Sequence, residues 1–213
     1  MRPVGQGVFV SFEGVEGCGK STQLSLLARK LQEQGLEVVT TREPGGTPLG
    51  EEIRALLLNP AFRPTPWAEL LLLEAARAQL VEEVIRPALA RGAWVLCDRY
   101  ADSSLAYQGA GRGLPWEQVR QLNALATGGL FPHRTLVLVV SLREALARAR
   151  RRPSTHAGNR RFEDEAEAFH ERVALAFQQL AQEEPERVRL VNGRGRPSLV
   201  HQKVLKALKD LLP

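Results

Sequence analysis

Two cysteines in 213 residues, Cys18 and Cys97, are too few and too far apart for a disulfide framework or a zinc site. Aromatic residues make up only 6% of the chain. That leaves no basic patch interleaved with aromatics of the kind that binds nucleic acid. No apolar run approaches the roughly 18 residues a membrane helix needs; residues 136–140 form one of the longest. Residues 1–7 carry no long apolar stretch, and Ser11 and Glu13 interrupt the apolar segment after them, so no secretory signal is expected. A hydrophobic content of 44% with a net charge of +5 excludes dominant disorder. The expectation is one globular domain over residues 1–213, or at most two small ones, in a reducing cytoplasm.

What the chain has in surplus is arginine. Its 29 cations are 24 Arg and 5 Lys against 24 acids, with a sequence pI near 9.7. Such a surplus suits a polyanionic partner, whether nucleic acid, membrane surface or small phosphorylated ligand, or it reflects compositional drift. Position along the chain has to decide between these.

Strand-like and helix-like segments alternate, the pattern of an α/β domain with a mainly parallel sheet. Short runs rich in β-formers stand at residues 8–12, 37–41, 93–97, 135–140 and 187–191. Helical periodicity covers residues 20–34, 49–58, 67–90, 115–126, 142–151, 162–182 and 198–212. The run 67–90 is apolar on more than one side at residues 70–73, so part of it should be buried or lie at a subunit contact.

Between the first strand and the first helix, Gly14, Val15, Glu16, Gly17, Cys18, Gly19, Lys20 and Ser21 satisfy G-x-x-x-x-G-K-[ST]. Glycines there let backbone N–H groups turn inward around an anion, with the helix terminus behind them. Lys20 can reach the outer phosphates of a nucleotide, and the Ser21 hydroxyl can ligate Mg²⁺. No N-K-x-D guanine-reading sequence is present. The third strand leads instead into Asp98-Arg99-Tyr100, at the sheet edge where such folds bind ligands. Asp98 could hold Mg²⁺ through water while Arg99 grips a phosphate; an ordinary surface ion pair is the alternative.

Residues 98–113 (DRYADSSLAYQGAGRG), together with Phe12-Glu13-Gly14 through Thr22, the run 41–47 (TREPGGT) and the run 75–79 (AARAQ), resemble the signature of thymidylate (dTMP) kinases. The similarity spans residues 8–176. It implies a three-layer P-loop NTPase fold, with a five-stranded parallel sheet flanked by helices and a mobile lid. It also implies transfer of the ATP γ-phosphate to dTMP, with Mg²⁺ as cofactor and a homodimer as the assembly. ATP and dTMP are then the expected partners, with neither nucleic acid nor membrane.

The resemblance also suggests roles. The loop from Gly14 to Thr22 and Arg148 would hold ATP, Ser21 and Asp98 the metal, and Arg99 both phosphates. Glu16 would meet the 3′-hydroxyl side of the acceptor, Arg42 its phosphate and Arg77 the thymine O4. Ser104 and Gln108 would line the base pocket, and Tyr107 would crowd the 2′ position. Leu73 stands where the family commonly has a stacking Phe. Four residues apart on one helix, Leu73 and Arg77 share a face; Arg77 could equally be solvated and paired with Glu74. Six arginines, Arg148, Arg150, Arg151, Arg152, Arg160 and Arg161, crowd residues 148–161. Alone they would read as a solvated face; in this family they resemble the lid, expected at residues 148–162. Gly17 stands where some relatives carry a catalytic Arg, so the lid, through Arg161 above all, is expected to supply the catalytic cation; Lys20, Arg99 and Glu16 are the other expected catalytic residues. A UMP/CMP-type kinase, or a P-loop ATPase module that is not a kinase, is the alternative.

Overall fold

Apolar β-rich runs that read without alternation belong to strands covered on both faces; the computed structural model covers the three central strands so, and the two edge strands only in part. It describes residues 7–150 and 165–213, with the side chains of residues 149 and 150 left out. Five strands, β1 (Val8–Glu13), β2 (Val38–Arg42), β3 (Trp94–Asp98), β4 (Arg134–Val139) and β5 (Val188–Asn192), form one sheet in the order β2-β3-β1-β4-β5. All four pairings are parallel. β1 is central and buried along its whole length. Register brings Phe12 level with Asp98, and Asp98 level with Arg42. The carboxyl ends of β1, β2 and β3 therefore open on one edge, which is where α/β sheets bind ligands.

Helices α1 (Lys20–Gln32), α2 (Pro48–Leu58) and α3 (Pro66–Leu80) follow the expected periodicity. Pro occupies the first helical position of α2 and α3, and the hydroxyls of Thr47 and Thr65 accept from Gly50 N and Ala68 N as N-caps. The remaining helices are α4 (Arg86–Ala90), α5 (Ala101–Ser104), α6 (Trp116–Thr127), α7 (Leu142–Arg150), α8 (Glu167–Glu183) and α9 (Pro197–Ala207). Of the leucine cluster in α3, Leu70 is fully buried, whereas Leu71 is 53% exposed.

Three expectations change. The run 67–90 is not one regular helix: a π-helical stretch, Val81–Ile85, separates α3 from α4. Pro87 has no N–H and crowds the preceding turn, and a wide turn just ahead accommodates it. The helix expected to begin at Phe162 begins at Glu167, after an extended Ala166. Residues 101–111, assigned no element from sequence, are helical: α5 runs into a second π-helical stretch, Leu105–Gly111. Gly109 and Gly111 argue against a helix by propensity, but burial of Leu105, Ala106 and Tyr107 against the core overrides it.

Candidate active site

The loop between β1 and α1 wraps on glycines with left-handed backbones: φ is 125° at Gly14, 76° at Gly17 and 105° at Gly19. A Cβ on Gly14 would also stand 2.7 Å from the Leu138 carbonyl oxygen, so glycine is required there twice over. Gly19 caps α1 without a side-chain hydrogen bond, leaving the helix N-terminus to backbone N–H groups, as an anion site needs. Lys20 is buried, its Nζ donating to the carbonyls of Gly14 (2.9 Å) and Val15 (3.1 Å). The ammonium is thus held over the loop that a phosphate chain would enter.

A cavity of ≈ 300 Å³ opens from this loop. Its walls carry Glu16, Gly17, Gly19, Lys20 and Ser21 of the loop, Arg42 at the end of β2, Leu73 and Arg77 of α3, and Asp98 at the end of β3 with Arg99 after it, with Ser104, Tyr107 and Gln108 beyond. The sequence-derived residues thus converge on one space, save Arg148 and the loop residues Gly14, Val15, Cys18 and Thr22, which do not line it. Arg148 pairs instead with Glu144 on α7. Arg161, and most of the expected lid at residues 148–162, lie outside the described residues.

Arg99 adopts a φ of 73°, the one left-handed non-glycine backbone among the described residues. Such a conformation costs about 1–2 kcal/mol and persists only where the surroundings fix it. Glu13, at the end of β1, does the fixing. It accepts from Tyr100 N (2.7 Å) and from the Ser103 hydroxyl (2.6 Å), bracketing the turn. Arg99 Nη2 then reaches Glu16 Oε1 at 2.7 Å, and the Tyr107 hydroxyl donates to the same oxygen at 2.9 Å. The Arg99 guanidinium lies 4.7 Å from the Tyr107 ring centre, a cation–π contact. Its partner is therefore Glu16 and not the adjacent Asp98. Burial alone would raise the Glu16 pKa, but Arg99 and Lys20 outweigh it and hold the carboxyl below its ordinary value.

Burial pushes Glu13 the other way, up to about 8 despite Arg99. Between pH 4.5 and about 8 the folded chain keeps a proton there that the unfolded chain releases. Stability from Glu13 is then full below pH 4.5 and lost as pH rises through 8. Glu13→Gln, free of that titration, is expected to gain about 2 kcal/mol relative to the parent between about pH 6 and about pH 8. Thermal melts at the two pH values check this; parallel slopes for parent and variant would contradict it.

Arg77 is 1% exposed, so the solvated alternative is excluded, although the Glu74 pairing is present. All five guanidinium N–H groups are used. Nε donates to Glu43, Nη1 to Glu74 and Asn123, and Nη2 to Glu43 at 2.7 Å and Ser104 at 3.1 Å. Two carboxylates thus surround one cation, and burial pushes Glu43 up to about 7 even beside Arg77. A base carbonyl meeting Arg77 must share or displace one of these bonds, and Ser104, which also lines the cavity, is the weakest holder. Gln108 spends an amide N–H on the fully buried Glu69, at 2.8 Å. Arg42 is exposed and paired to Glu51 at 3.0 Å.

Ser21 Oγ donates to Asp98 Oδ2 at 2.6 Å across the cavity edge. A hydroxyl and a carboxylate oxygen are hard donors of the type Mg²⁺ takes, one or two from protein and the rest from water and phosphate. Among the described residues no three His, Cys, Asp or Glu side chains cluster as an all-protein metal cage. The donor set fits the ion.

Sequence reasoning assigned no role to Glu13, Glu43, Arg54 or Asn123. Glu13 and Glu43 stand inside the F-E-G and T-R-E-P runs, so a signal existed; their charge hid it, because acids in an anion site look misplaced. Arg54, which donates to Pro44 O and lines the cavity, carried no local motif.

Comparison with known proteins agrees with this geometry. The family model described as thymidylate kinase matches residues 12–204. The thymidylate kinase of Rhizorhabdus wittichii is 48% identical over 208 residues, covering 97% of this chain and 99% of that one. That of Deinococcus radiodurans is 52% identical over 182 residues, covering 85% and 86%. The crystal structure of thymidylate kinase from Ehrlichia chaffeensis superposes with a TM-score of 0.78 at 32% identity, covering 96% of this chain and 99% of that one. A match of this extent, on a chain whose phosphate loop and arginine cluster open on one cavity, places the protein in the thymidylate kinase family.

Proposed function

We propose that the chain transfers the γ-phosphate of ATP to dTMP, giving dTDP and ADP, and acts as a single domain in the cytoplasm. The observation that carries this is continuity: the phosphate loop and a recess walled by Leu73, Arg77, Tyr107 and Gln108 belong to one cavity, with Arg99 between them. ATP phosphates lie in the loop over Lys20, and the acceptor phosphate lies against Arg42 and Arg99. An oxygen of that acceptor phosphate attacks the γ-phosphorus in line, and the bond to the β-phosphate oxygen breaks. With a second pKa near 6 the acceptor is mostly dianionic at neutral pH, so no general base is required. Catalysis is then positioning and charge neutralisation by Lys20 and Arg99, joined by an arginine of the stretch 148–161, Arg161 above all. Ser21 and Asp98 would hold Mg²⁺, which when bound would neutralise phosphate charge and orient the donor. Glu16 faces the 3′ side of the acceptor sugar, and Tyr107 fills the space a 2′-hydroxyl would need.

Arg77 and Ser104 meet the thymine carbonyl, and Leu73 offers an aliphatic face to the ring. Pocket shape discriminates the thymine methyl, worth about 1–3 kcal/mol. ADP release measured with dTMP, dUMP, UMP, CMP and AMP is expected to favour dTMP over dUMP by about 10–200-fold in kcat/KM. The ribonucleotides and AMP should be poorer still. If dTMP accelerates turnover no more than the others, the proposal fails.

A homodimer belongs to the same reading. Leu56 of α2, Leu71 of α3 and Leu125 of α6 are 41%, 53% and 79% exposed. Helix α3 packs on both α2 and α6, and a second copy of the chain would cover their leucines. No helix among the described residues is long and apolar enough to cross a membrane. Both cysteines are free and buried, as suits a reducing compartment.

A further inference from the structure

Glu16 has two carboxylate oxygens in unlike situations. Oε1 accepts from Arg99 and Tyr107. Oε2 is buried and has no hydrogen-bond partner among the described residues. The group facing it is His170, in the first turns of α8, which is fully buried. Neither ring nitrogen of His170 has a partner among the described residues. Nδ1 stands 3.8 Å from Oε2, beyond the roughly 3.2 Å limit of a good hydrogen bond but within reach of a small shift. Leaving a buried polar group unpaired is costly, because it has lost water and gained no partner. Two such groups facing each other are relieved together by one approach.

His170 is not free to wander. Its neighbour Phe169 lies so close to Gly111 that a Cβ there would stand 2.5 Å from the ring. The Phe169 ring also meets Tyr107 edge-on, with centroids 6.0 Å apart. Arg172, one half-turn on, donates to the carbonyls of Ala110 (3.1 Å) and Gly111 (2.8 Å). Helix α8 is thereby docked on the same π-helical stretch that presents Tyr107, and the imidazole is delivered to Glu16 by rigid packing.

We propose that His170 is a positioning residue for Glu16: it takes Oε2 and so sets the carboxylate that meets the 3′-hydroxyl of the acceptor. This rests on the placement of Glu16 given above. The need for it comes from Arg99. That guanidinium serves Glu16 here and the phosphates during reaction, and turning to them it leaves Oε1 with Tyr107 alone. A buried carboxylate stripped of its charged partner would shift or take a proton. A Nδ1–H donor on its other oxygen keeps it ionised and in place. Tyr107 and His170 then hold one oxygen each, and the sugar hydroxyl donates to the carboxylate between them.

The test uses steady-state kinetics at saturating ATP with two acceptors, dTMP and 3′-deoxythymidine monophosphate. The parent protein is expected to favour dTMP by about tenfold in kcat/KM, the worth of one charge-assisted hydrogen bond. His170→Leu keeps a similar volume and removes both nitrogens. It should bring that preference to within about twofold of unity by raising the KM for dTMP, with the 3′-deoxy acceptor and the KM for ATP little changed. His170→Gln restores an N–H donor and should recover most of the preference. A core-filling role alone would lower thermal stability and leave the acceptor ratio where it was; an unchanged ratio in His170→Leu therefore overturns the proposal. A parent protein indifferent to the 3′-hydroxyl overturns the placement of Glu16 instead. Should the leucine variant not fold, His170→Met carries the same comparison.

Discussion

Arg99→Ala is expected to lower kcat for dTMP phosphorylation by about 10³-fold or more, the range seen when an arginine that neutralises a moving phosphoryl group is lost. The geometry supplies the reason. Glu13 holds the left-handed turn at Arg99 from below, Tyr107 packs under the guanidinium, and Glu16 restrains its tip. Few degrees of freedom remain to be lost when the phosphates arrive, so its contribution should fall on the transition state more than on binding. Alanine at this position bears a similar left-handed cost, and Lys20 and Tyr107 still face Glu16. Stability should therefore fall by only about 1–3 kcal/mol, with unfolding still cooperative. Single-turnover kinetics beside a thermal melt separate the two effects. Near-normal turnover would remove Arg99 from the mechanism, and a collapsed melt would show that the loss is of folding.

The second large effect falls on stability. Arg77→Ala leaves Glu43 and Glu74 buried beside each other without their shared cation. Removing one member of a buried ionic cluster typically costs about 3–5 kcal/mol, which in a chain of this length lowers the melting midpoint by about 10 °C. The sign of the pH dependence is fixed by Glu43, already pushed up to about 7 by burial with Arg77 present. Without Arg77 the carboxyl takes a proton more readily, so the variant should suffer less at low pH than at high pH. Adding Glu43→Gln to Arg77→Ala should recover part of the loss. Melts of the single and double variants at about pH 6 and about pH 8 measure both. An equal loss at the two values would mean that Glu43 is not what Arg77 compensates.

Elements whose physics is local were legible in the sequence. The phosphate loop is such an element: its glycines, lysine and serine fall within eight consecutive residues, and each is demanded by the backbone or by the anion. The buried strands were legible for the same reason, since continuous apolar runs admit few alternatives. Residues 101–111 were not, because their helical state comes from tertiary burial of Tyr107 and Leu105 against propensities that oppose it. Glu43 and His170 were hidden differently. Glu43 meets Arg77 across 34 positions, and His170 faces Glu16 across 154; no local pattern announces a pairing that only the folded sheet and α8 create. Arg77 shows the limit from the other side. The spacing put it on the face of Leu73 and within reach of Glu74, and both were right. The saturation of all five donors, which decides how a base can be read there, is a property of the assembled core.

The arginine surplus finally has a kinetic meaning. Lys20, Arg42, Arg54, Arg77 and Arg99 line the cavity against Glu16, Glu43 and Asp98, an excess of two positive charges set in low-dielectric walls. Such a recess draws multiply charged anions from a distance set by the Debye length, about 8 Å at physiological ionic strength. Capture of both nucleotides therefore becomes faster as salt is lowered. Their release, which breaks short-range contacts inside the cavity, responds far less.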